Sequence, residues 1–122
     1  MAARPRRILV GYDASEAGSR ALDAAADLAG YGSTLAVVTV QNGELGGAVA
    51  AQAREQVQRR HVEARYHQPS GEPAEQLVEA ARELEADLVV VGRRDRTPLR
   101  GLLGSVSGKV LRRVPCDVLV VR

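Results

Sequence analysis

The sequence predicts an α/β fold built on an open parallel sheet of five strands with four helices. Short apolar runs without polar alternation recur along the 122 residues, which is typical of strands buried on both faces of a parallel sheet. Segments in which apolar residues follow helical spacing separate these runs, as crossovers between parallel strands require. Neither a linker nor an internal repeat interrupts the alternation, so residues 1–122 are expected to form a single domain.

The first strand and the first helix are predicted at the start of the chain. The apolar run 8–10 ends at Gly11, and residues 11–13 follow it. Ser15 is a suitable N-cap for a helix that continues to Ala29, where two nearby glycines favour its end. Helical spacing assigns the buried face of this helix to Ala17, Ala21, Ala24, Ala25 and Leu28.

The middle of the chain continues the same alternation. A second strand is predicted over residues 35–40, and the helix that follows has Leu45, Val49, Ala53 and Val57 at helical spacing. Residues 62–66 alternate apolar and polar, as expected of a peripheral strand. Pro73 fits only the first turn of a third helix, whose buried face is assigned to Leu77, Val78, Ala81 and Leu84.

The last third of the chain supplies the strongest candidate for a central strand. Residues 88–91 are uniformly apolar and run directly into Gly92, and residues 93–103 are predicted as a loop. A short helix then opens at residues 104–105, and its inward face is assigned to Val106, Val110 and Leu111. The final strand is predicted over residues 118–121.

The composition excludes several classes of protein. With 45% hydrophobic and 26% charged residues, the chain is expected to be globular rather than disordered. Aromatic residues make up 2%, so the core must be aliphatic, and the stacking surfaces of many nucleic-acid-binding proteins are not expected. Cys116 is expected to be a buried small hydrophobe, and the Cys and His residues lack the spacing of a zinc site.

The expected location is the cytoplasm. No apolar run approaches the ~20 residues of a membrane span, and no apolar stretch follows the basic start MAARPRR as it would in a secretory signal. A single cysteine cannot form an internal disulfide, which fits a reducing compartment. We therefore expect a soluble protein with neither a membrane nor a nucleic-acid partner.

The positive charge is concentrated in one segment. Residues 1–92 carry nine arginines against thirteen Asp and Glu, a net charge of −4, although the whole chain has a net charge of +2. Residues 93–113 carry seven Arg and Lys against Asp95 alone, a net charge of +6. A local excess of this kind attracts anions and favours a partner that bears phosphate.

Two predicted strand ends carry the residues best suited to bind a ligand. In open parallel sheets, ligands bind beyond the carboxyl ends of the strands, where residues 11–13 and Gly92 are expected here. Glycine lets the backbone approach a ligand, and the predicted helix start at residues 104–105 offers N–H groups to an anion. Together these features favour a nucleotide. Taken singly, Asp13 also fits a helix cap and each glycine a turn, and that alternative stays open.

The same residues resemble universal stress proteins of the UspA-like family. The stretch ILVGYDASEAGSRALDAAADLA resembles the opening of these proteins, and GRRDRTPLRGLLGSVSGKVLRRVPCDVLVVR resembles their closing segment. The resemblance implies a doubly wound sheet with strand order 3-2-1-4-5, of the adenine-nucleotide alpha-hydrolase-like type. Many members of the family bind ATP through a motif written G-x2-G-x9-G-[ST].

The resemblance implies roles for individual residues. Asp13 matches a residue near the adenine and the ribose, and Val40 matches a backbone position that contacts adenine. Gly92 matches the first motif glycine, and residues 104–106 match its end at the phosphates. The candidate nucleotide-binding residues are Gly11, Tyr12, Asp13, Val40, Gly92, Arg93, Arg94, Gly104, Ser105 and Val106. ATP with Mg²⁺ is the expected ligand, and neither a catalytic nor a metal-ligating residue is assigned.

The motif departs from the family pattern in two ways. Asp95 stands where the second motif glycine is expected, and eight residues rather than nine separate it from Gly104. An acidic side chain has the wrong size and sign for a place beside a phosphate. Arg93, Arg94 and Arg96 offer side-chain contacts to phosphates instead.

Three functions remain open on the sequence. The first is a nucleotide-binding stress-response module with slow or no hydrolysis, since no residue stands out as a general base. The second is a dimerising interaction protein that binds no nucleotide, which Asp95 and the shorter loop favour. The third is a small phosphoryl-transfer or adenylate-using enzyme. The first two share a homodimer formed through the last strand, which the resemblance places at an open sheet edge, with Val118, Leu119, Val120 and Val121.

Overall fold

The computed structural model describes residues 7–30, 32–41, 46–93 and 105–122. Along these residues, strands and helices alternate as the apolar periodicity predicts. The elements are β1 (Arg7–Gly11), α1 (Glu16–Leu28), β2 (Thr34–Val38), α2 (Gly46–Arg59), β3 (Arg65–His67), α3 (Pro73–Glu83), β4 (Leu88–Gly92), α4 (Ser105–Arg113) and β5 (Asp117–Val121). None of the helices within these ranges combines the length and the apolar character needed to cross a membrane.

The strands form one parallel sheet in the order β3-β2-β1-β4-β5, which confirms the expected topology. β1 lies at the centre, where Val10 stands beside Val37 of β2 and Val90 of β4. From β1 the chain winds outward to β3, then crosses to the other side and continues through β4 to β5. The winding direction therefore reverses between β1 and β4, and ligands of open α/β sheets bind at such a point.

Each face of the sheet carries its own aliphatic core. On one face, Ile8 and Val10 of β1 pack with buried residues of α1 and α2. On the other face, Leu9 packs with residues of α3 and α4, including Leu77 and Val110. Successive residues of β1 point to opposite faces and are buried on both. The apolar runs lack polar alternation for this reason.

α1 begins at the predicted cap but buries a different stripe at its end. The hydroxyl oxygen of Ser15 accepts a hydrogen bond from the Gly18 amide at 3.0 Å. The prediction that Leu28 is buried is wrong, because this side chain is 43% exposed. With 3.6 residues per helical turn, the buried stripe continues from Ala25 to Ala29, and Leu28 lies outside this stripe. The buried residues of the helix are Ala17, Gly18, Ala21, Leu22, Ala25 and Ala26.

α4 shows the same kind of error at one residue. Val110 is fully buried and Val106 packs against the second core, as predicted. Leu111 was assigned to the same face, but its side chain is 47% exposed. The next residue of a helix is rotated by about 100°, which turns Leu111 away from the core that Val110 contacts.

Two strands have limits that differ from the predicted ones. β2 ends at Val38 rather than Val40, and its last carbonyl accepts a hydrogen bond from the Tyr12 amide at 3.0 Å. Val40 therefore lies two residues past the strand, beyond the carboxyl edge of the sheet. β3 is the short edge strand Arg65–His67 rather than residues 62–66.

Gly92, the last residue of β4, allows α1 to lie directly on the sheet. A Cβ atom at this residue would stand 2.5 Å from the backbone carbon and oxygen of Ala17 in the first turn of α1. A backbone held inside a helix cannot rotate aside as a side chain can. The contact therefore requires glycine at this position.

The substitution Gly92→Ala is expected to destabilise the protein by about 1–3 kcal/mol, since the added methyl group overpacks a backbone contact. Gly30→Ala is the matched control, because no atom lies within 4 Å of a Cβ added there. Urea unfolding followed by circular dichroism measures both changes. Equal stability of the Gly92→Ala variant and the wild type would contradict the steric role of Gly92.

Candidate functional site

A cavity of about 310 Å³ opens at the carboxyl ends of β1 and β4, where the winding direction reverses. Four parts of the chain surround it: the turn after β1 with the start of α1, the ends of β2 and β4, the first turns of α3, and the first turn of α4. The lining residues are Gly11, Tyr12, Asp13, Ser15, Gly18, Val38, Val40, Pro73, Leu77, Val91, Gly92, Val106 and Ser107.

The structure brings together six of the ten candidate residues from the sequence. They are Gly11, Tyr12, Asp13, Val40, Gly92 and Val106, and all of them line the cavity. Arg93 follows Gly92 but does not line it, and its amide donates to the Val121 carbonyl at 2.7 Å. Ser105 is the first residue of α4. Arg94 and Gly104 lie outside the described residues, as does Asp95.

Asp13 lines the cavity and is hydrogen-bonded to Ser15 at the start of α1. Its Oδ1 accepts hydrogen bonds from the amide of Ser15 at 3.0 Å and from the hydroxyl of Ser15 at 2.5 Å. The same hydroxyl oxygen of Ser15 accepts from the Gly18 amide. A Cβ at Gly18 would stand 2.5 Å from this carboxylate oxygen, so glycine leaves the room that the carboxylate occupies. Ser15 is therefore the residue that caps α1, and Asp13 holds this cap in place while it faces the cavity.

Tyr12 closes the cavity towards the core formed with α1 and α2. Its amide continues the hydrogen bonding of the sheet to Val38, and its side chain is buried in that core. Burial, followed by the negative charge of Asp13, raises the pKa of Tyr12 above its usual value. Tyr12 is therefore a neutral phenol at physiological pH and does not serve as a base.

In the wall formed by α3 and α4, the sequence predicts Val106 but not Pro73, Leu77 or Ser107. Pro73 and Leu77 stand one turn apart at the start of α3, and Ser107 of α4 is buried beside the cavity. A Cβ at Gly11 would stand 3.0 Å from the Leu77 side chain, so this helix lies close to the end of β1. The signal that could have located these residues is topological. A helix that crosses between parallel strands begins at their carboxyl edge, and Pro73 marks such a beginning.

The chemistry of the lining suits a partly apolar ligand. Valine and leucine side chains form broad aliphatic surfaces, and Asp13 is the single ionisable carboxylate among the lining residues. Within the described ranges, no group of three or more His, Cys, Asp or Glu is arranged to hold a metal ion. The cavity therefore offers aliphatic surface to an apolar group and, at Asp13, a carboxylate that can accept hydrogen bonds from hydroxyl groups.

Cys116 lies away from this cavity, at the turn before β5. Its side chain packs against the second core and is half-buried. Burial, with smaller effects of Asp117 and Asp87, raises the pKa of the thiol above its usual value. A raised pKa lowers the fraction of reactive thiolate, which favours a packing role over a nucleophilic one.

Comparison with known proteins identifies relatives along most of the chain. The profile of the Universal stress protein family matches residues 5–122. A universal stress protein of Mycobacterium tuberculosis strain H37Rv is 31% identical over an alignment of 139 residues, gaps included, which covers 95% of each protein. Another, from Methanocaldococcus jannaschii, is 47% identical over 53 residues, but these are 43% of this chain and only 31% of that protein.

Solved structures show the same fold. A universal stress protein crystallised in complex with cAMP superimposes with a TM-score of 0.86 at 32% identity, over 98% of both chains. The crystal structure of the Mycobacterium tuberculosis protein superimposes with a TM-score of 0.74 at 31% identity, over 100% of this chain and 98% of that one. With the family profile matched over residues 5–122 and the sheet order confirmed, this chain belongs to the universal stress protein family.

Proposed function

We propose that this chain is a regulatory module that binds an adenine nucleotide, with ATP as its ligand, in the cavity between β1 and β4. The observation that carries the proposal is the meeting of Asp13, an aliphatic cleft and the backbone of Gly92 at the point where the sheet reverses its winding. Each of these features suits a different part of a nucleotide. Because all of these features line the same cavity, the simplest interpretation is a single ligand that contacts each of them.

The aliphatic part of the cavity suits the base. Val38 and Val40 come from the end of β2, and Leu77 stands on α3. Val40 lies beyond the last residue of β2, past the β1–β2 ladder that ends at Val38. In the proposed complex the adenine ring lies against these side chains, and hydroxyl groups of the ribose donate to Asp13.

The phosphates are proposed to lie towards Gly92 and the start of α4. The backbone of Gly92 lines the cavity, and α4 begins at the same edge of the sheet. Residues 93–109 carry five Arg and Lys against Asp95 alone, a net charge of +4 that favours an anion near this part of the chain. Arg112 and Arg113, in the last turn of α4, have no ligand role in the proposal. Roles of Arg94, Gly104 and Ser105 at the phosphates remain part of the proposal, as does the effect of Asp95.

The metal in this proposal depends on the nucleotide. Mg²⁺ is commonly held by phosphate oxygens, water and one or two carboxylates. Asp13 is the carboxylate that the described cavity offers, and it already accepts two hydrogen bonds from Ser15. We therefore propose that Mg²⁺ enters with the phosphates of ATP rather than at a site of its own.

Two observations support an adenine nucleotide and slow chemistry. The relative that shares 32% identity over 98% of both chains was crystallised with cAMP, which has the same base and sugar as ATP. In the described lining, Tyr12 holds its proton tightly and Asp13 is bound to Ser15. A bound nucleotide would thus be positioned without a base that activates water, so hydrolysis is expected to be slow.

A second candidate function is a cytoplasmic homodimer that binds partners without a nucleotide. The observation that favours it is the open edge at β5, where Leu119 is 38% exposed. α1 contacts both β4 and β5, and Leu28 near its end is another exposed leucine. An apolar edge strand is usually paired or covered, so pairing of β5 with β5 of a second copy is proposed for both candidate functions.

Titration calorimetry with ATP and Mg²⁺ tests the nucleotide proposal. The variant Asp13→Asn keeps an oxygen that can accept from Ser15 but loses its charge, and about tenfold weaker binding is expected. Glu16→Gln is the matched control, because it removes a charge from the same helix start and does not line the cavity. A folded wild-type protein that gives no heat with millimolar ATP or cAMP would refute nucleotide binding and leave the second candidate.

Sedimentation at tens of micromolar tests the dimer. The wild type is expected to sediment as a dimer, and Leu119→Asp is expected to shift it to the monomer by placing a charge on the paired edge. Leu111→Asp is the control, since this leucine is 47% exposed but stands on α4. A wild-type monomer, or a Leu119→Asp variant that remains fully dimeric, would contradict pairing through β5.

A further inference from the structure

α3 begins with a glutamate where a shorter side chain is usual. Glu72 is the N-cap, and its Oε2 accepts a hydrogen bond from the Glu75 amide at 2.8 Å. Ser, Thr, Asp and Asn are preferred at this position because their short side chains reach the same N–H group. A longer side chain brings its second oxygen further from the helix that it caps.

That second oxygen points to α4. Oε1 of Glu72 lies 3.9 Å from Nζ of Lys109, so one carboxylate connects the start of α3 with the neighbouring helix. Arg113, one turn further along α4, adds a second positive charge on the same side. The hydrogen bond from Glu75, helped by the charges of Lys109 and Arg113, holds the pKa of Glu72 below its usual value. The carboxylate is therefore ionised at neutral pH.

The two connected helices form one wall of the cavity. Pro73, which directly follows Glu72, lines the cavity from α3. Val106 and Ser107 line it from α4, three and two residues before Lys109. Neither Glu72 nor Lys109 lines the cavity itself. A change in the distance between these two side chains would move the wall without removing any group that faces the ligand.

We infer that Glu72 and Lys109 form an electrostatic latch that holds α3 against α4 and thereby sets the affinity of the cavity for its nucleotide. The inference rests on the proposed function, and it makes Glu72 and Lys109 positioning residues. The carboxylate performs two tasks at once, as it caps α3 and fixes the place of that cap relative to α4. This double use explains why the longer glutamate stands at this position.

A simpler electrostatic effect makes the opposite prediction for one of the two residues. If Lys109 only attracted the phosphates, its loss would weaken ATP binding, whereas loss of the negative charge of Glu72 would strengthen it. The latch predicts that both losses weaken binding. The sign of the change at Glu72 therefore separates the two explanations.

Calorimetry with ATP and Mg²⁺ is the test. Glu72→Gln retains an oxygen that can cap α3, and Lys109→Gln retains most of the length of the side chain. Because exposed ion pairs are weak, each variant is expected to bind ATP about two- to fivefold more weakly than the wild type. The double variant is expected to match the single ones, since the pair can be broken only once.

Two control variants remove nearby charges outside the latch. Glu75→Gln changes the same first turn of α3, and Arg112→Gln changes α4 at an exposed residue. Both are expected to bind ATP as the wild type does. ATP binding by Glu72→Gln that equals or exceeds that of the wild type would overturn the latch, as would additive losses in the double variant.

A separate measurement distinguishes failure of the latch from failure of the proposed function. If the folded wild type binds no nucleotide, amide hydrogen exchange in the ligand-free protein decides the question. The latch predicts faster exchange of the Glu75 amide in both Glu72→Gln and Lys109→Gln, and unchanged exchange in Arg112→Gln. Unchanged exchange in Lys109→Gln would show that α3 is capped independently of α4, and the latch would be rejected.

Discussion

The contact between Gly92 and the backbone of Ala17 is the constraint on which the site depends. It lets the first turn of α1 lie directly on the end of β4, next to β1. That turn carries Ser15, and Ser15 in turn holds the carboxylate of Asp13. A side chain at Gly92 would lift the helix start and move Asp13 with it. The glycine that a nucleotide-binding motif requires is therefore also required by packing, so its presence alone does not distinguish the two roles.

Asp13 presents a similar combination of roles. Sequence reasoning treated a helix cap and a ligand contact as alternatives for this residue. The hydrogen bonds to Ser15 establish the structural role, and the position at the cavity makes the ligand role compatible with it. Preorganisation follows from the combination, because a carboxylate already fixed by its neighbour loses little freedom when a ligand arrives.

The sequence was sufficient for the elements of the fold and for half of the site. Continuous apolar runs predict strands buried on both faces, and β1 and β4 are buried in this way, whereas β5 is a partly exposed edge strand. The strand order came from the family resemblance. Leu28 and Leu111 were misassigned because periodicity locates an apolar stripe only to within one residue, and tertiary packing decides which flank is covered.

The β1 and β4 ends of the site were found from their glycines and Asp13. The contribution of Pro73, Leu77 and Ser107 depends on how α3 and α4 return to the sheet, which no local pattern encodes. Arg94, Gly104 and Asp95 lie outside the described residues, and their roles stay predictions.

The aliphatic core has a spectroscopic consequence. The chain contains neither tryptophan nor phenylalanine, so its ultraviolet emission comes from three tyrosines. Tyr12 is buried at the edge of the cavity, whereas Tyr66 lies on the edge strand β3, with the centre of its ring 4.3 Å from the guanidinium carbon of Arg54. Tyr31 lies outside the described residues. A molecule in the cavity would contact Tyr12, which lines it, and not Tyr66, which does not. The protein thus carries an intrinsic optical reporter of occupancy, and it needs neither a label nor an introduced chromophore.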